Sequence, residues 1–206
     1  MPRLHLLLTA CLIGLFGCQT HNAHYNSSLA HHSPSGFSNN YPGREPDMHD
    51  FFRWQWNRLL KPKPEHRADL VSWQAVNLNQ IHSTQGRSAT WLGHASVLIK
   101  SDGIHVLTDP IFSERASPVS WLGPKRIKPL PVDPANLPRI DAVVISHNHY
   151  DHLDYNTIQK LHPRVKQFYT SLGVGSHLEY WGVDAGKITE FDWWDAKTFE
   201  SGFEII

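Results

Sequence analysis

The most informative stretch of this 206-residue chain is residues 146–154, Ser-His-Asn-His-Tyr-Asp-His-Leu-Asp. It follows the apolar run Ile140–Ile145, whose composition predicts a buried β-strand. Three histidines and a carboxylate within six residues at a strand exit are typical of a metal site, because imidazole nitrogens and carboxylate oxygens bind Zn²⁺ and its first-row neighbours. The alternative is a polar loop rich in histidine by chance, in a chain with 15 histidines.

The spacing within this stretch predicts two metal ions rather than one. His147 and His149 are two residues apart, so on an extended backbone both side chains point to the same side and can chelate one ion. Asp151 and His152 are displaced by the turn into the following helix and can face a second ion. We therefore predict a two-metal hydrolase site with these four residues as ligands.

The pattern His147-x-His149-x-Asp151-His152 resembles the signature of the metallo-β-lactamase superfamily. Further segments are similar to the branch that contains the N-acyl-phosphatidylethanolamine-hydrolysing phospholipases D, with ascorbate-6-phosphate lactonases as more distant relations. These segments are Thr90–Ile99, Thr108–Ser113, Trp121–Arg126 and Trp193–Asp195. The resemblance extends from about Asp47 to the last residue.

The resemblance implies an α/β fold, the αββα sandwich of that superfamily, of which this chain holds mainly the N-terminal half. It also implies a zinc-dependent phosphodiesterase that acts on N-acyl-phosphatidylethanolamine, in which two zinc ions activate water as hydroxide and no side chain is the nucleophile. Asp151 would act together with that water. The alternative is a lactonase or another ester hydrolase on the same fold.

Two residues outside the loop also acquire roles from the resemblance. Asp109 follows a predicted strand, and the resemblance implies that it stands behind the metal ions and accepts a hydrogen bond from a ligating histidine. The alternative for Asp109 is a turn before Pro110. His94 would reach the substrate side of the site, or would be a structural histidine in a tight turn.

The chain ends before the other ligands of a complete family member are reached. Those ligands are two more histidines and a bridging aspartate, which lie downstream of the region that matches Trp193–Asp195, and none of them follows here before Ile206. We expect half of a dinuclear site. The chain would then be a fragment or early-terminated form of an active enzyme, or an inactive metal-binding lipoprotein.

Charge and cysteine content exclude several classes of protein. The 19 basic and 19 acidic residues balance, so the chain lacks the basic surface that nucleic-acid binding requires. Both cysteines, Cys11 and Cys18, lie near the N-terminus, so the folded part has neither a disulfide nor a cysteine-ligated zinc site.

The first 18 residues are expected to be a bacterial lipoprotein signal peptide, because a basic start and an apolar run precede the cleavage box Leu15–Cys18. Lipidation is expected on Cys18, although the box Leu8–Cys11 competes. The protein would then be a lipoprotein of the cell envelope, anchored in the outer membrane and facing the periplasm. The alternative is a cytosolic protein with a fortuitously apolar N-terminus. Residues 19–46, rich in His, Asn, Ser, Gly and Pro, are expected to be a flexible linker.

Residues 47–64 are predicted to form an amphipathic aromatic helix that either packs on the domain, the preferred alternative, or lies on a membrane. The metallo-β-lactamase-like domain is expected over residues 65–206. Its predicted strands are 76–81, 88–92, 95–99, 104–108, 140–145, 165–170, 187–191 and 198–206, and its predicted helices are 155–161 and 174–181. The Asp102-Gly103 pair predicts a hairpin turn, and Asp154 is the predicted N-cap of helix 155–161. In the Pro-rich segment 112–137, Trp121, Lys125 and Arg126 would suit a phosphodiester headgroup, or would simply be solvated.

Overall fold

The computed structural model describes residues 21–39, 41, 43, 47–62 and 68–206. The expected signal peptide and the expected lipidation site, Cys18, lie outside these residues. Contacts divide the chain into a unit that ends at Pro64 and a unit that begins at Glu65.

The first unit contains a short hairpin where the composition predicts a flexible linker. Strands β1 (His32–Ser33) and β2 (Gly36–Phe37) pair in antiparallel fashion. The buried side chain of Asn22 donates hydrogen bonds to the backbone carbonyls of Ser33 and Gly36, at 3.1 and 3.0 Å. The prediction of a segment without regular structure is therefore wrong for these residues, because one buried amide satisfies backbone groups that solvent would otherwise hydrate.

Helix α1 (Met48–Leu60) follows in the same unit, as its sequence pattern predicts. Asp47 begins it, since its carboxylate accepts a hydrogen bond from the Asp50 N–H at 2.8 Å. No residue of α1 is buried. The expectation that this helix packs on the domain as a core helix stays a prediction. Within the described residues, no helix combines the length and the apolar character that crossing a membrane requires.

The second unit is built on a six-stranded mixed sheet in the order β3-β4-β5-β6-β7-β8. Strands β3, β4 and β5 are antiparallel, and β5 to β8 run parallel. The strands are β3 (Ser88–Gly93), β4 (Ser96–Ser101), β5 (Ile104–Thr108), β6 (Ile140–Ile145), β7 (Val165–Ser171) and β8 (Ile188–Phe191). The predicted Asp102-Gly103 turn joins β4 to β5, with φ angles of 50° and 83°.

The helices of the second unit are α2 (Leu78–Ser83), α3 (Tyr155–Leu161) and α4 (Gly175–Tyr180), with 3₁₀ turns at Ala68–Leu70, Pro134–Asn136, His162–Arg164 and Ala185–Lys187. The prediction of a strand over 76–81 is wrong. Asn77 caps α2 by accepting from the Gln80 N–H, and Lys100 Nζ donates to the carbonyls of Ile81 and Thr84 at the other end of the helix. Both helix ends are thus satisfied by groups that an alternating apolar pattern does not reveal.

The two faces of the sheet are covered differently. Residues of α2, α3 and α4, among them Ile81, Ile158 and Leu178, join one buried cluster with Phe168 of the sheet. The other face has a smaller cluster around Val106, Ala142 and Tyr169, covered by a hairpin of β9 (Lys197–Thr198) and β10 (Glu204–Ile205). The prediction of one strand over 198–206 is wrong, because the chain reverses near Gly202 at a φ of 80°.

The α/β fold class is confirmed, and its topology gathers the residues of interest. The carboxyl ends of the parallel strands β5, β6 and β7 meet at one edge of the sheet, where sites in such sheets are usually built. Asp109 follows β5, the 146–154 loop follows β6, and Ser171 ends β7. The Ser171 hydroxyl donates to the Ser146 carbonyl at 3.2 Å, which ties the loop to the neighbouring strand.

Candidate metal centre

The first half of the loop brings two imidazoles together directly after β6. His147 Nε2 lies 3.0 Å from His149 Nδ1, and the ring centroids are 4.6 Å apart. Metal–nitrogen bonds of about 2.0–2.1 Å in a tetrahedral site place donor atoms about 3.3 Å apart. The two nitrogens are therefore spaced as ligands of a single ion would be, which is the arrangement predicted from their spacing in the sequence.

The second half of the loop forms another group of donors. Asp151 Oδ2 lies 3.6 Å from His152 Nε2 and 3.0 Å from His94 Nε2. The donor atoms of these three residues all lie within 4.8 Å of one another. His94 lies at the turn between β3 and β4, and the fold brings its side chain to the loop. This placement agrees with the alternative in which His94 reaches the site.

Asp109 lies behind both groups of donors. Its carboxylate accepts from the Ser146 N–H and the Ser146 hydroxyl, both at 2.8 Å, and lies 2.9 Å from His152 Nδ1. A proton on His152 Nδ1 satisfies this contact and leaves Nε2 unprotonated toward Asp151. The Ser146 hydroxyl is also 2.9 Å from His147 Nδ1, so Asp109 orients His147 through Ser146. Its part in metal binding stays a prediction.

The backbone around Asp109 explains how it reaches this position. Its φ is 33°, in the left-handed region that Asp and Asn tolerate better than most residues. Its N–H donates to the Val144 carbonyl at 2.8 Å, and its carbonyl accepts from the buried Ser96 hydroxyl at 2.8 Å. The alternative of a simple turn before Pro110 does not account for a carboxylate that is only 12% exposed and has three donors around it.

Asp154 has a larger role than its sequence position suggests. As predicted, it caps α3, accepting from the Asn156 N–H at 3.1 Å. It also accepts from the Ser113 N–H and hydroxyl, both at 2.8 Å, from the Phe112 N–H at 3.2 Å and from the Thr157 hydroxyl at 2.6 Å. The sequence next to α3 predicts Asp154 as its N-cap. Its hydrogen bonds to residues 112–113, more than 40 positions away, cannot be predicted from the neighbouring sequence.

The pKa values of two loop residues are shifted. Partial burial lowers the pKa of His147, and the neighbouring His152 and His149 lower it further. Burial acts to raise the pKa of Asp151, but the hydrogen bonds of its own backbone and of His94, with the nearby charge of His152, outweigh burial and lower it. Both shifts favour the deprotonated forms, which are the forms that bind metal.

A cavity of about 1190 Å³ adjoins the loop, with His94, His149 and Asp151 at one end. Lys125 and Arg126 also line it, but Trp121 does not and is 75% exposed. Aromatic and aliphatic side chains also line the cavity, among them Val71, Trp73, Val76, Trp91 and Ile127.

Two of the three Lys and Arg side chains that line the cavity, Lys125 and Arg126, are already engaged with the protein. Lys125 Nζ forms an ion pair with Glu114 at 2.8 Å. Arg126 donates to the Ile111 carbonyl at 2.6 Å, and the space for a Cβ on Gly93 is limited by Arg126 Nη1 at 2.9 Å. Burial lowers the pKa of Arg126, with the charge of Asp154 acting in the opposite direction. Arg126 thus braces the 111–113 segment, so a role in headgroup binding stays a prediction for these residues.

The donor set suits a first-row divalent cation. Three imidazoles and one carboxylate come from the loop, and His94 adds an imidazole, so the site offers nitrogen and oxygen ligands without sulfur. The second carboxylate, Asp109, lies against His152 directly and against His147 through Ser146, and so orients these candidate ligands from behind. These are the residues that would hold one or two metal ions.

Known proteins share parts of this chain. Residues 105–206 match the family described as "Beta-lactamase superfamily domain". The chain is 50% identical over 107 residues to an uncharacterized protein of Mycobacterium tuberculosis, a match that covers 52% of this chain and 29% of that protein. It is 38% identical over 137 residues to N-acyl-phosphatidylethanolamine-hydrolyzing phospholipase D 1 of Caenorhabditis elegans, covering 64% and 38% of the two chains.

A UPF0173 metal-dependent hydrolase of Sulfurisphaera tokodaii is 32% identical over 85 residues, which are 39% of this chain and 31% of that one. The chain therefore spans less than two-fifths of the length of these relatives.

Solved structures overlap only in part. The diiron β-hydroxylase CmlA of Streptomyces venezuelae has a TM-score of 0.41 at 26% identity, covering 56% of this chain and 22% of that one. An isothiocyanate hydrolase from Delia radicum gut bacteria has a TM-score of 0.42 at 24% identity, covering 54% and 43%. Overlaps of this extent carry no weight for the function.

Proposed function

Because residues 105–206 place this chain in the metallo-β-lactamase superfamily, we propose that the protein is a metal-dependent hydrolase that uses the loop 146–154 as its metal site. The observation that carries the proposal is the double orientation of the loop by Asp109. One buried carboxylate lies against His152 directly and against His147 through Ser146. Such partners set the tautomer of ligating histidines, which a loop rich in histidine by chance does not require.

The metal ions supply two effects when bound: they lower the pKa of a coordinated water and polarise the ester oxygen of the substrate. The protein's own residues do the remaining work. Asp151 contributes a carboxylate whose lowered pKa keeps it ionised, and the lowered pKa of His147 favours the unprotonated imidazole that binds metal. We propose Zn²⁺ as the metal, since it accepts this nitrogen and oxygen donor set in hydrolases.

The substrate that we propose is the phosphodiester of an N-acylated phosphatidylethanolamine. Two relatives named as N-acyl-phosphatidylethanolamine-hydrolyzing phospholipases D support it, the nematode protein and a yeast protein that is 32% identical over 117 residues. The cavity beside the loop supports it as well, because aromatic and aliphatic side chains such as Trp73, Trp91 and Ile127 give it an apolar wall that an acyl chain can contact.

Attachment to a membrane belongs to the same proposal. Lipidation of Cys18 would hold the protein at the bilayer in which such a substrate resides, in the bacterial cell envelope. A labelled lipid precursor that is incorporated into the wild-type protein and not into a Cys18→Ser variant is the expected result.

The experiment for the activity is an assay of purified, Zn²⁺-loaded protein against N-acyl-phosphatidylethanolamine vesicles and, in parallel, an acyl lactone. We expect release of phosphatidic acid, loss of at least about 100-fold in the Asp151→Asn variant, and loss on chelation. The Asp133→Asn variant serves as the matched control, since Asp133 caps an exposed turn away from the loop. Hydrolysis of the lactone alone would reject the phospholipase assignment in favour of an ester hydrolase.

A further inference from the structure

His94 is held opposite the metal loop by its backbone. It has a φ of 49°, and the Trp91 indole N–H donates to its carbonyl at 2.8 Å. The preceding Gly93, with a φ of 109°, has Arg126 Nη1 in the space that a Cβ would need. A non-glycine residue in the left-handed region costs about 1 kcal/mol or more. The position of this imidazole therefore invites a functional explanation.

The atoms that His94 faces are metal donors. Its Nε2 is 3.0 Å from Asp151 Oδ2, and the same oxygen is 3.6 Å from His152 Nε2. These distances bracket the spacing of about 3.3 Å that two ligands of a tetrahedral ion adopt. The rings of His94 and His152 approach edge to face at 5.5 Å, so both nitrogens converge on the carboxylate oxygen without stacking.

We propose that His94 is a third protein ligand of the ion held by Asp151 and His152. The resulting set of two imidazoles and one carboxylate leaves a fourth position for water or substrate, which is the ligand number of catalytic zinc sites. The inference rests on the proposed function, because it requires that the loop binds metal. The inference adds that the ion held by Asp151 and His152 has a third protein ligand, His94.

The alternative role for His94 is to orient Asp151 by a hydrogen bond. A His94→Gln variant separates the two roles, because the glutamine amide can donate to Asp151 but is a poor metal ligand. His82→Gln is the matched control, since His82 is exposed on α2 in the same unit.

The experiment uses the full 206-residue chain, stripped with a chelator and titrated with Co²⁺ while the visible absorption is recorded. We expect that His94→Gln weakens the affinity for one equivalent of Co²⁺ at least tenfold and lowers its absorption as tetrahedral geometry is lost. The His82→Gln variant should match the wild type. An unchanged Co²⁺ affinity and spectrum in His94→Gln would overturn the inference and leave His94 as an orienting residue.

A second measurement needs no variant and holds even if His94→Gln fails to fold. In the ¹⁵N-histidine-labelled wild-type chain loaded with ¹¹³Cd²⁺, we expect a one-bond ¹¹³Cd–¹⁵N coupling to His94 Nε2. Coupling at His147, His149 and His152 without coupling at His94 would overturn the inference while supporting the proposed metal site. A wild-type chain that takes up neither Co²⁺ nor Cd²⁺ would overturn the proposed function and the inference with it.

Discussion

Two buried aspartates, Asp109 behind the loop 146–154 and Asp154 at the end of that loop, have different partners. Asp109, 8% exposed, is surrounded by Ser146 and His152, which belong to the loop itself. Asp154, 6% exposed, accepts from five donors on residues 112, 113, 156 and 157, none of which is a candidate ligand. The same side chain thus orients ligands at one position and holds two loops together at the other. Substitutions should separate metal affinity from stability.

The largest expected effect on folding is that of Asp154→Ala. Removing this carboxylate takes the acceptor from the Ser113 N–H and from the Ser113 and Thr157 hydroxyls, and Arg126 loses the nearby negative charge. We expect the free energy of unfolding to fall by about 3–5 kcal/mol, measured by urea unfolding in the presence of a chelator. The matched control is Asp133→Ala, since Asp133 is an exposed cap whose carboxylate accepts from the Ala135 N–H, and for this variant we expect a loss of about 1 kcal/mol.

If Asp154→Ala and Asp133→Ala lowered the free energy of unfolding by similar amounts, Asp154 would be no more than a helix cap, and its role in joining two segments would be contradicted. The milder Asp154→Asn variant keeps part of the hydrogen bonding and should lie between them.

Asp109→Asn should act mainly on metal binding. Asparagine tolerates the φ of 33°, and its amide oxygen can still accept from the Ser146 N–H. Its NH2 group then replaces the charged oxygen that faces His152 Nδ1 and the Ser146 hydroxyl, and an NH2 group cannot accept a hydrogen bond from either. We expect a 10- to 100-fold weaker affinity for Zn²⁺, measured by competition with a chromophoric chelator. Asp141→Asn is the control, because Asp141 accepts from the His105 N–H in the sheet, away from the loop. Equal metal affinity in the two variants would contradict the orienting role of Asp109.

Ser146→Ala tests the indirect half of that role. The hydroxyl links Asp109 to His147 Nδ1, at 2.8 and 2.9 Å, whereas the contact of Asp109 with His152 does not need it. We expect a smaller loss of metal affinity than in Asp109→Asn, about fivefold, with little change in stability. A loss as large as that of Asp109→Asn would place the whole effect on Ser146.

The smallest expected effect is the contribution of His105 to the pH dependence of the free energy of unfolding. The comparison of the aspartate variants must therefore be made at one fixed pH. Burial lowers the pKa of His105, Asp141 raises it to a lesser extent, and Lys100 and His82 lower it. Because the unfolded chain binds this proton more readily, stability is full above pH about 6.5 and falls as the pH drops toward the lowered native pKa. In metal-free protein, His105→Gln should reduce the dependence of the urea unfolding midpoint on pH over this interval. An unchanged slope would assign the acid dependence to other groups.

Local signals in the sequence identify most elements near the site. The Asp102-Gly103 turn, the strands on either side of it and helix α3 with its cap at Asp154 occur where turn and cap residues predict them. The failures have a common cause. Residues 76–81 and 198–206 are apolar enough for strands, but Asn77 and Lys100 stabilise a helix in the first and a reversal at Gly202 divides the second.

The amino-acid sequence alone determined the candidate metal ligands of the loop 146–154, because ligand types and their spacing within nine residues are local properties of the chain. Tertiary structure alone decided the surroundings of that loop. The contacts of Asp109 with His152, of Asp154 with residues 112–113 and of His94 with Asp151 join positions 41 to 57 residues apart. Such contacts arise because parallel strands end at one edge of the sheet and neighbouring turns meet there, and no local pattern in the chain records which side chains will then converge.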